Sequence, residues 1–177
     1  ARQSSPNNTA AALPQAADLV YLGALPLAAL DLDAEGAARQ AQRLAGEWPL
    51  RWLQRLSGQG ARSWFVTQGA MSTHAGDAVA PGAAWQAPLW GLGRGAALED
   101  AAGWGGLIDL PVDAPETQAE RLLHALVEAD GEDQCAWRGA HRHALRLRHA
   151  APPPAATFNA RADARSEERR VGKECAT

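Results

Sequence analysis

Short apolar stretches and longer amphipathic stretches alternate along most of the chain. Runs rich in β-branched, aromatic and leucine residues predict strands at 18–22, 63–67, 107–110, 133–138 and 142–148. Between them, apolar positions recur with the helical period and predict helices at about 34–46, 84–100 and 115–129, with a second, turn-rich piece that continues the first of them to 56. Strands separated by helices are typical of parallel pairing through crossover connections. The pattern therefore predicts an α/β fold with a mostly parallel sheet flanked by helices on both faces.

Local signals refine these elements. Asp33 is a predicted N-cap, because its carboxylate can accept a hydrogen bond from the first helical turn. Pro49 is expected at the start of a second helical piece, where its missing amide hydrogen costs nothing. Residues 103–106, Gly-Trp-Gly-Gly, predict a turn before the strand at 107–110. The apolar positions expected to face the core from two helical stripes are Leu44, Trp48, Trp52, Leu53, Leu56, Leu122, Leu123, Leu126 and Val127.

Composition and charge narrow the classes of protein that this sequence fits. The chain has 177 residues, a net charge of -3 and a mean hydropathy of -0.30, which suits one domain with its own core. The small net charge argues against a nucleic-acid or membrane partner, and no apolar run approaches the roughly 20 residues of a spanning helix. The only cysteines, Cys135 and Cys175, predict no disulfide framework and fit a cytoplasmic location.

The two ends of the chain differ in composition from the middle. Residues 1–17 are small, polar and broken by proline, and they predict a disordered lead-in or linker. Residues 18–150 form the predicted domain, and the proline-rich residues 151–164 form a linker. Residues 165–175 read RSEERRVGKEC and contain Lys173, the only lysine among 17 basic residues. Residues 165–177 are therefore interpreted as a translated sequencing-adapter scar and tail, with a native charged helical tail as the alternative.

Gly91, Gly93 and Gly95 form the cluster that comes closest to a cofactor motif. A dinucleotide-binding turn has the pattern G-x-G-x-x-G directly after a strand, where backbone amides and a helix N-terminus meet the pyrophosphate. Here the spacing differs, and the residues before Gly91 belong to a predicted helix. Close packing of another element against the helix explains these glycines better than a cofactor does.

Histidines near the end of the domain could be drawn as a metal site. His141 and His143 would share one face of a strand, and Cys135 and His149 lie near them in the sequence. No second ligand pair at a fixed spacing accompanies them, and exposed histidines on an arginine-rich strand are common. A structural role is therefore the stronger interpretation.

The residue types of a nucleophilic site are also present, but without a recognisable arrangement. No Gly-x-Ser-x-Gly elbow occurs, and the candidate side chains are Ser63, Ser72, Thr73, His74 and Asp77. Asp109 ends a predicted buried strand, and strand ends are where α/β proteins bind ligands, yet no catalytic role is predicted for it. Arg94 and Glu99 are expected to be helix-surface or intradomain partners. The tryptophans expected in the core or at a subdomain interface are Trp64, Trp90 and Trp104.

Several linked motifs resemble one protein family. They are LWGLGR at 89–94, AALE at 96–99, WGGLIDLP at 104–111, V-T-x-G-A at 66–70, and GEDQ at 131–134 followed by Arg138-Gly139. In this order they are similar to the structural, non-catalytic subdomain of the ketoreductase domain of modular type I polyketide synthases. The resemblance covers residues 18–163 and implies a truncated Rossmann-like fold without a cofactor of its own.

The resemblance also implies where the chemistry of such a protein lies. The intact ketoreductase reduces a β-ketoacyl chain, bound to an acyl carrier protein, with NADPH. Its cofactor and its Tyr–Ser–Lys–Asn set belong to a second half, and this set has no match here, since the only tyrosine is Tyr21 and the only lysine is Lys173. The implied fragment is inactive, with no catalytic, cofactor-binding or metal-binding residues, and truncated at Arg161-Ala162-Asp163, where the catalytic half would begin.

The partners that the resemblance implies are the catalytic half, the acyl carrier protein and neighbouring synthase domains. An exposed apolar face is expected where the catalytic half packs. The alternative is a free-standing Rossmann-like module that binds a small ligand at the strand ends, near residues 66–70 and Asp109.

Overall fold

The computed structural model of the chain describes residues 17–149, apart from 30–32, 78, 80, 129 and 148. The chain divides into two compact units, residues 1–145 and 146–177, and the helices and strands of the described residues all belong to the first. The predictions for residues 1–16 and for the linker and tail after residue 150 lie outside the described residues.

The order of the described elements confirms the predicted alternation of strands and helices. The strands are β1 (Asp18–Tyr21), β2 (Arg62–Gln68), β3 (Trp104–Leu110), β4 (Gln134–Arg138) and β5 (His141–Ala144). The helices are α1 (Ala34–Ala41), α2 (Trp48–Leu56), α3 (Ala87–Glu99) and α4 (Pro115–Val127). A π-helical segment, Gln42–Glu47, joins α1 to α2, and 3-10 turns lie at Leu25–Ala29 and Pro81–Gln86.

Two predicted helix starts agree with the structure. The Asp33 side chain accepts a hydrogen bond of 2.8 Å from the backbone N–H of Gly36, as an N-cap does. Pro49 lies in the first turn of α2, although the junction before it is helical instead of an open turn.

The five strands form one mostly parallel sheet in the order β1-β2-β3-β4-β5. The first four strands are parallel, and β5 returns antiparallel to β4. Asp18 ties the first two strands together, because its carboxylate accepts two hydrogen bonds of 2.8 Å from Arg62 and one of 3.0 Å from the indole of Trp64. The predicted α/β, Rossmann-like sheet is thus confirmed.

Helices cover both faces of this sheet, and each face carries its own apolar core. On one face α1, the π-helical segment and α3 pack against the sheet, where the buried residues are Tyr21, Ala24, Leu27, Ala41, Ala45, Phe65, Leu89, Trp90, Trp104 and Leu107. On the other face α4 packs against the sheet, where the buried residues are Trp64, Val66, Ile108, Leu110, Ala125, Cys135 and Trp137. The predicted burial of Trp64, Trp90 and Trp104 is confirmed.

The crossover through α4 has the opposite hand to the crossovers before it. All connections move in the same direction across the sheet, since each strand lies beside the strand before it in the chain. The α3 crossover lies on the face of Phe65 and Leu107, whereas the α4 crossover lies on the face of Ile108 and Cys135. About 98% of such connections are right-handed. Because this sheet contains crossovers of both hands, at least one of its crossovers has the uncommon left-handed form.

Some predicted inward positions are wrong. Leu123 and Val127 of α4 are 63% and 72% exposed, and Ala125 is the residue that is buried on this helix. α4 is therefore rotated so that Leu122, Ala125 and Leu126 face the sheet. Trp48 is also largely outside the core, with 45% of its surface exposed.

Two predicted strand boundaries also need correction. Residues 104–106 are not a turn, because β3 already begins at Trp104. The Trp64 indole packs directly against Gly105 and Gly106, where a side chain would not fit. A Cβ on Gly105 would lie 2.3 Å from Trp64 Nε1, and a Cβ on Gly106 would lie 2.8 Å from Trp64 Cζ3. The last strand ends at Ala144 instead of residue 148.

Candidate functional site

The carboxyl ends of the parallel strands bring polar side chains together at one edge of the sheet. Asp109, the sixth residue of β3, pairs in register with Thr67 of β2 and Ala136 of β4. Arg138 ends β4 at the same edge. Ligand sites of Rossmann-like folds lie at this edge, so its geometry bears directly on what the fold can do.

Asp109 is completely buried and accepts four hydrogen bonds. Its Oδ1 accepts from the Thr67 hydroxyl over 2.6 Å and from the backbone N–H of Ala70 over 2.9 Å. Its Oδ2 accepts from the backbone N–H of Met71 over 3.1 Å and from Arg138 Nη2 over 2.8 Å. A buried carboxylate is stable only when it is paired and hydrogen-bonded in this way.

Arg138 fastens the loop after β2 to the end of β4. Its Nε donates to Asp77 over 3.0 Å, its Nη1 donates to the carbonyl of Trp137 over 2.7 Å, and its Nη2 also donates to the carbonyl of Met71. Burial opposes the positive charge, but the hydrogen bonds and charges of Asp109 and Asp77 outweigh it and raise the pKa of the Arg138 guanidinium. The guanidinium is therefore a permanent cation that bridges two carboxylates.

Asp77 closes the loop on itself. Its Oδ2 accepts from the backbone N–H of Thr73 over 2.8 Å and from the Thr73 hydroxyl over 2.9 Å. These bonds, the Thr73 backbone bond foremost, and the Arg138 guanidinium lower the pKa of Asp77 to about 2 although burial opposes them. The Thr73 hydroxyl also lies 3.0 Å from Nδ1 of His74. Residues 69–77 thus form a loop that is held together by hydrogen bonds to the carboxylate of Asp77.

The other polar groups at this edge of the sheet also form hydrogen bonds within the chain. The fully buried Gln86 pairs with both backbone groups of Gln68, accepting from its N–H over 2.9 Å and donating to its carbonyl over 3.0 Å. The indole of Trp90 donates to the Thr67 hydroxyl over 3.0 Å. Every polar side chain named at this edge has a partner. Within the described residues, the buried side-chain polar atoms without one belong to Trp52, Trp104, Arg121, Trp137 and Arg142.

This hydrogen-bond network is better suited to a structural role than to catalysis. The backbone N–H groups of Ala70 and Met71 follow a parallel strand, which is where a dinucleotide-binding turn presents its amides to a pyrophosphate. Here the Asp109 carboxylate accepts from both of them. An anionic cofactor group would have to displace a buried carboxylate that four donors hold.

The sequence identified Asp109 and the loop residues separately, but not the network that joins them. In the sequence, Arg138 and Thr67 stand out only as parts of motifs, and no pattern singles out Met71. One signal in the sequence points to them: an aspartate inside the apolar run 107–110 needs buried donors. The donors themselves depend on strand register, which only the structure gives.

The other predicted nucleophile residues do not form a catalytic group. Ser63 is buried near the amino end of β2, at the edge opposite Asp109. Ser72 is exposed and donates to the carbonyl of His74 over 3.1 Å. Thr73 and Asp77 bond to each other and to the loop, as described above. The exposed Glu99 lines a groove beside α3, and Arg94 donates to Gln134 over 3.0 Å, which confirms it as an intradomain partner.

The candidate metal ligands are placed on different sides of the sheet. His143 of β5 lies opposite Ala136, whereas Cys135 lies opposite Ala144 and is buried on the α4 face. The His143 ring stacks on that of His74 at 6.4 Å between centroids. Between residues 17 and 149, leaving out the undescribed positions, no three His, Cys, Asp or Glu side chains are close enough to hold a metal ion.

Of the three glycines in α3, only Gly93 serves the predicted close packing. A Cβ there would lie 2.8 Å from Cη2 of Trp104 and 2.9 Å from a methyl of Leu107. Gly91 and Gly95 have open space around the position of a Cβ, so packing does not explain them. They line a groove of about 520 Å³ between α2 and α3, whose apolar wall includes Leu50 and Leu92.

In the described part of the chain, no helix is long and apolar enough to cross a membrane.

The sequence matches a family described as the Rossmann fold domain of the polyketide synthase extender module SpnB, over residues 2–147. Among curated proteins, it is 49% identical over 105 residues to polyketide synthase GfsA of Streptomyces halstedii. This match covers 58% of the chain and 1% of GfsA. It is 45% identical over 97 residues to the pikromycin synthase component PikAII of Streptomyces venezuelae, covering 55% of the chain and 2% of PikAII.

Solved ketoreductase structures resemble the fold as well as the sequence. An A-type ketoreductase from a modular polyketide synthase is 38% identical with a TM-score of 0.55, over 71% of this chain and 26% of that one. A C2-type ketoreductase is 42% identical with a TM-score of 0.52, over 61% of this chain and 24% of that one. The chain thus spans about a quarter of each of these two ketoreductases and 1 to 2% of the two synthases.

Proposed function

The chain belongs to the family of the Rossmann fold domain of polyketide synthase extender modules, and from this premise we propose that it is the non-catalytic scaffold half of a ketoreductase. In the intact ketoreductase, a catalytic half would reduce a β-ketoacyl chain, bound to an acyl carrier protein, with NADPH. The chain itself would bind no cofactor and would act by holding the catalytic half in its folded form.

The observation that carries this proposal is the closure of the sheet edge by Asp109. The four donors to its carboxylate include the two backbone N–H groups after β2 that a pyrophosphate would need. The residues present therefore do not fit NADPH. Gly91 and Gly93 do not restore a site, because they lie inside α3 and not in a turn after a strand.

A surface for the catalytic half is available between α2 and α3. The groove there is about 520 Å³, and Leu50, which lies on its wall, is 44% exposed. Gly91 and Gly95 leave its floor without side chains. A concavity with leucines on its wall, polar groups at its rim and a glycine floor is suited to close approach of another helical surface, and we assign it to the catalytic half.

A first experiment tests the absence of cofactor binding. NADPH is titrated into the full chain, and binding is followed by the fluorescence of the nicotinamide and by the melting temperature. The expected result is no saturable binding at micromolar concentrations. Saturable micromolar binding of NADPH would refute the scaffold proposal. A melting shift with another small ligand at the strand ends would favour the alternative, a free-standing ligand-binding module.

A second experiment tests the scaffold role through the groove. The full chain is mixed with the catalytic half of the A-type ketoreductase that it resembles, and complex formation and ketoreduction are measured. Gly91→Leu and Gly95→Leu fill the groove and should abolish both, whereas each should leave the chain itself as stable as before or more so, since leucine favours a helix. Gly46→Leu is the matched control, because Gly46 is another helical glycine with open space, away from this groove. Equal activity with all three variants would contradict the assigned surface.

A further inference from the structure

The outer flank of α2 combines arginines with tryptophans. Trp48 is 45% exposed, and the guanidinium of Arg43 lies over its ring at 5.4 Å. Below them a groove of about 490 Å³ is lined by Tyr21, Trp48, Arg51, Trp52, Gln54 and Arg55. We name the four residues Arg43, Trp48, Arg51 and Arg55 the arginine surface. Tryptophan, tyrosine and arginine are the residue types that most often dominate protein interfaces.

The charge of this surface is only partly balanced. Arg51 bonds to Glu47 over 2.6 Å in the preceding turn. Arg43 and Arg55, by contrast, have no ion pair with any carboxylate of the described residues. Residues 34–56 contain four arginines and two glutamates, although the whole chain carries a net charge of -3. The surplus positive charge is therefore local, and local surplus charge steers a partner of opposite sign.

The α4 region, on the opposite side of the sheet, is rich in acidic residues. Residues 113–133, which contain α4, hold seven carboxylates and one arginine. α4 packs on the other face of the sheet from the π-helical segment and α3. Because α4 packs on the opposite face, its carboxylates do not neutralise the arginine surface within one molecule.

We propose that the arginine surface binds an acidic amphipathic helix of another protein domain. Carboxylates on one side of that helix would pair with Arg43 and Arg55, and an apolar side chain would enter the groove over Tyr21 and Trp52. The proposal is separate from the scaffold function, because the groove for the catalytic half lies on the other flank of α2, toward α3.

The test uses the full chain and a designed helical peptide. A helical peptide of about 16 residues, about 24 Å long, is long enough to span the roughly 18 Å along a helix from Arg43 to Arg55. It carries glutamates on one face and a leucine stripe beside them, and its matched control carries glutamines in place of the glutamates. Binding is measured by fluorescence polarisation of the labelled peptides at low and at physiological salt. We expect the glutamate peptide to bind about tenfold more tightly at low salt, with a smaller difference at higher salt.

Variants locate the binding. Arg43→Gln combined with Arg55→Gln should weaken binding about tenfold, the effect of losing two exposed charge pairs. The same positions changed to lysine should retain most of the affinity. Arg94→Gln is the matched control for Arg43, because Arg94 likewise lies over a tryptophan, Trp90, at 5.6 Å, but on α3. It should leave the affinity within about twofold, since a single exposed charge at another surface contributes little.

Other outcomes would overturn the proposal. Equal affinity for the two peptides, or equal loss with Arg94→Gln and with the double variant, would show that the arginine surface does not recognise acidic helices. Self-association of the chain that the double variant abolishes would assign the surface to a second copy, whose α4 region is acidic. Circular dichroism melts of every variant exclude unfolding as the cause of a loss, because exposed substitutions should change stability by less than about 0.5 kcal/mol.

Discussion

Arg138 and Asp109 form an ion pair of 2.8 Å between neighbouring parallel strands, with the carboxylate completely buried. The pair holds the loop after β2 against the end of the sheet through Met71 and Asp77. Since its bonds all lie within the chain, it is expected to contribute to stability and not to ligand binding.

Replacing Asp109 by asparagine should destabilise the fold strongly. The change leaves the Arg138 guanidinium without its buried partner and turns an amide toward backbone donors, so we expect a loss of about 3 to 5 kcal/mol in the free energy of unfolding. Urea denaturation followed by circular dichroism measures it. A loss below about 1 kcal/mol would show that the network is not a stabilising element.

Thr67→Val is a milder test of the same network. Valine keeps the shape of threonine but removes the hydroxyl that donates to Asp109 and accepts from Trp90. We expect a loss of about 1 to 3 kcal/mol, since a buried donor on Trp90 would be left without a partner. An unchanged urea midpoint would mean that this hydroxyl is dispensable.

Asp77 should make the stability depend on acid pH. Its pKa is lowered to about 2 in the folded chain from the ordinary 3.8, so its contribution is present above the ordinary value and is lost as the pH falls toward 2. We expect Asp77→Asn to melt well below the wild-type chain at about pH 6 and the two curves to converge at about pH 2. Melting curves at several pH values measure this. A difference in melting temperature between the two chains that does not change with pH would contradict this prediction.

Tyr21 offers a spectroscopic check of burial, because it is the only tyrosine. Burial raises its pKa to about 12, and its hydroxyl donates to the carbonyl of Leu44 over 2.7 Å. The absorbance of tyrosinate should therefore rise with a midpoint near 12 in the folded chain and near 10 in urea. The neutral form is favoured in the fold, so its stabilising contribution is complete below the unfolded pKa and is lost as the pH rises through 12.

The alkaline titration of Tyr21 has few competing groups, since the chain contains one lysine and two cysteines. Tyr21→Phe supplies the blank, and it should itself cost about 1 kcal/mol for the lost hydrogen bond. A folded midpoint near 10 would mean that the ring is accessible to water.

The three glycines of α3 should respond to alanine in opposite ways. Gly93→Ala should destabilise by about 1 to 3 kcal/mol, because its Cβ would press on Trp104 and Leu107. Gly91→Ala and Gly95→Ala should instead stabilise by about 0.5 to 1 kcal/mol, since their surroundings are open and alanine favours a helix. Thermal melts of the three variants measure these changes in stability. A change in the same direction for all three variants would contradict the prediction.

The sequence correctly predicts the elements that have strong periodicity. Its predictions are wrong where tertiary contacts determine the local structure. β2 and β3 carry continuous apolar runs, and the N-cap at Asp33 is a local signal, so all three could be read from neighbouring residues. The rotation of α4 could not, because Leu123 and Val127 are as apolar as Leu122 and Leu126 and only the sheet distinguishes them.

The candidate site shows the same limit. An aspartate inside the run 107–110 signals a buried carboxylate, but its partner Arg138 is 29 residues away. That contact depends on β3 and β4 being parallel neighbours in one register. The extended start of β3 was missed for a similar reason, since Gly105 and Gly106 look like turn residues until the Trp64 indole lies over them.

The simple strand order of the sheet bears on how the chain is made. Each strand pairs with the one that leaves the ribosome just before it, so no strand has to wait for a distant partner. The parallel pairings nonetheless join residues 27 to 44 positions apart, so each of them can form only after the crossover between its two strands has been synthesised. The Asp109 carboxylate would meet the Thr67 hydroxyl and the Ala70 and Met71 amides as soon as β3 docks, and Arg138 would arrive last. Its arrival would secure the loop once the sheet beneath it is in place.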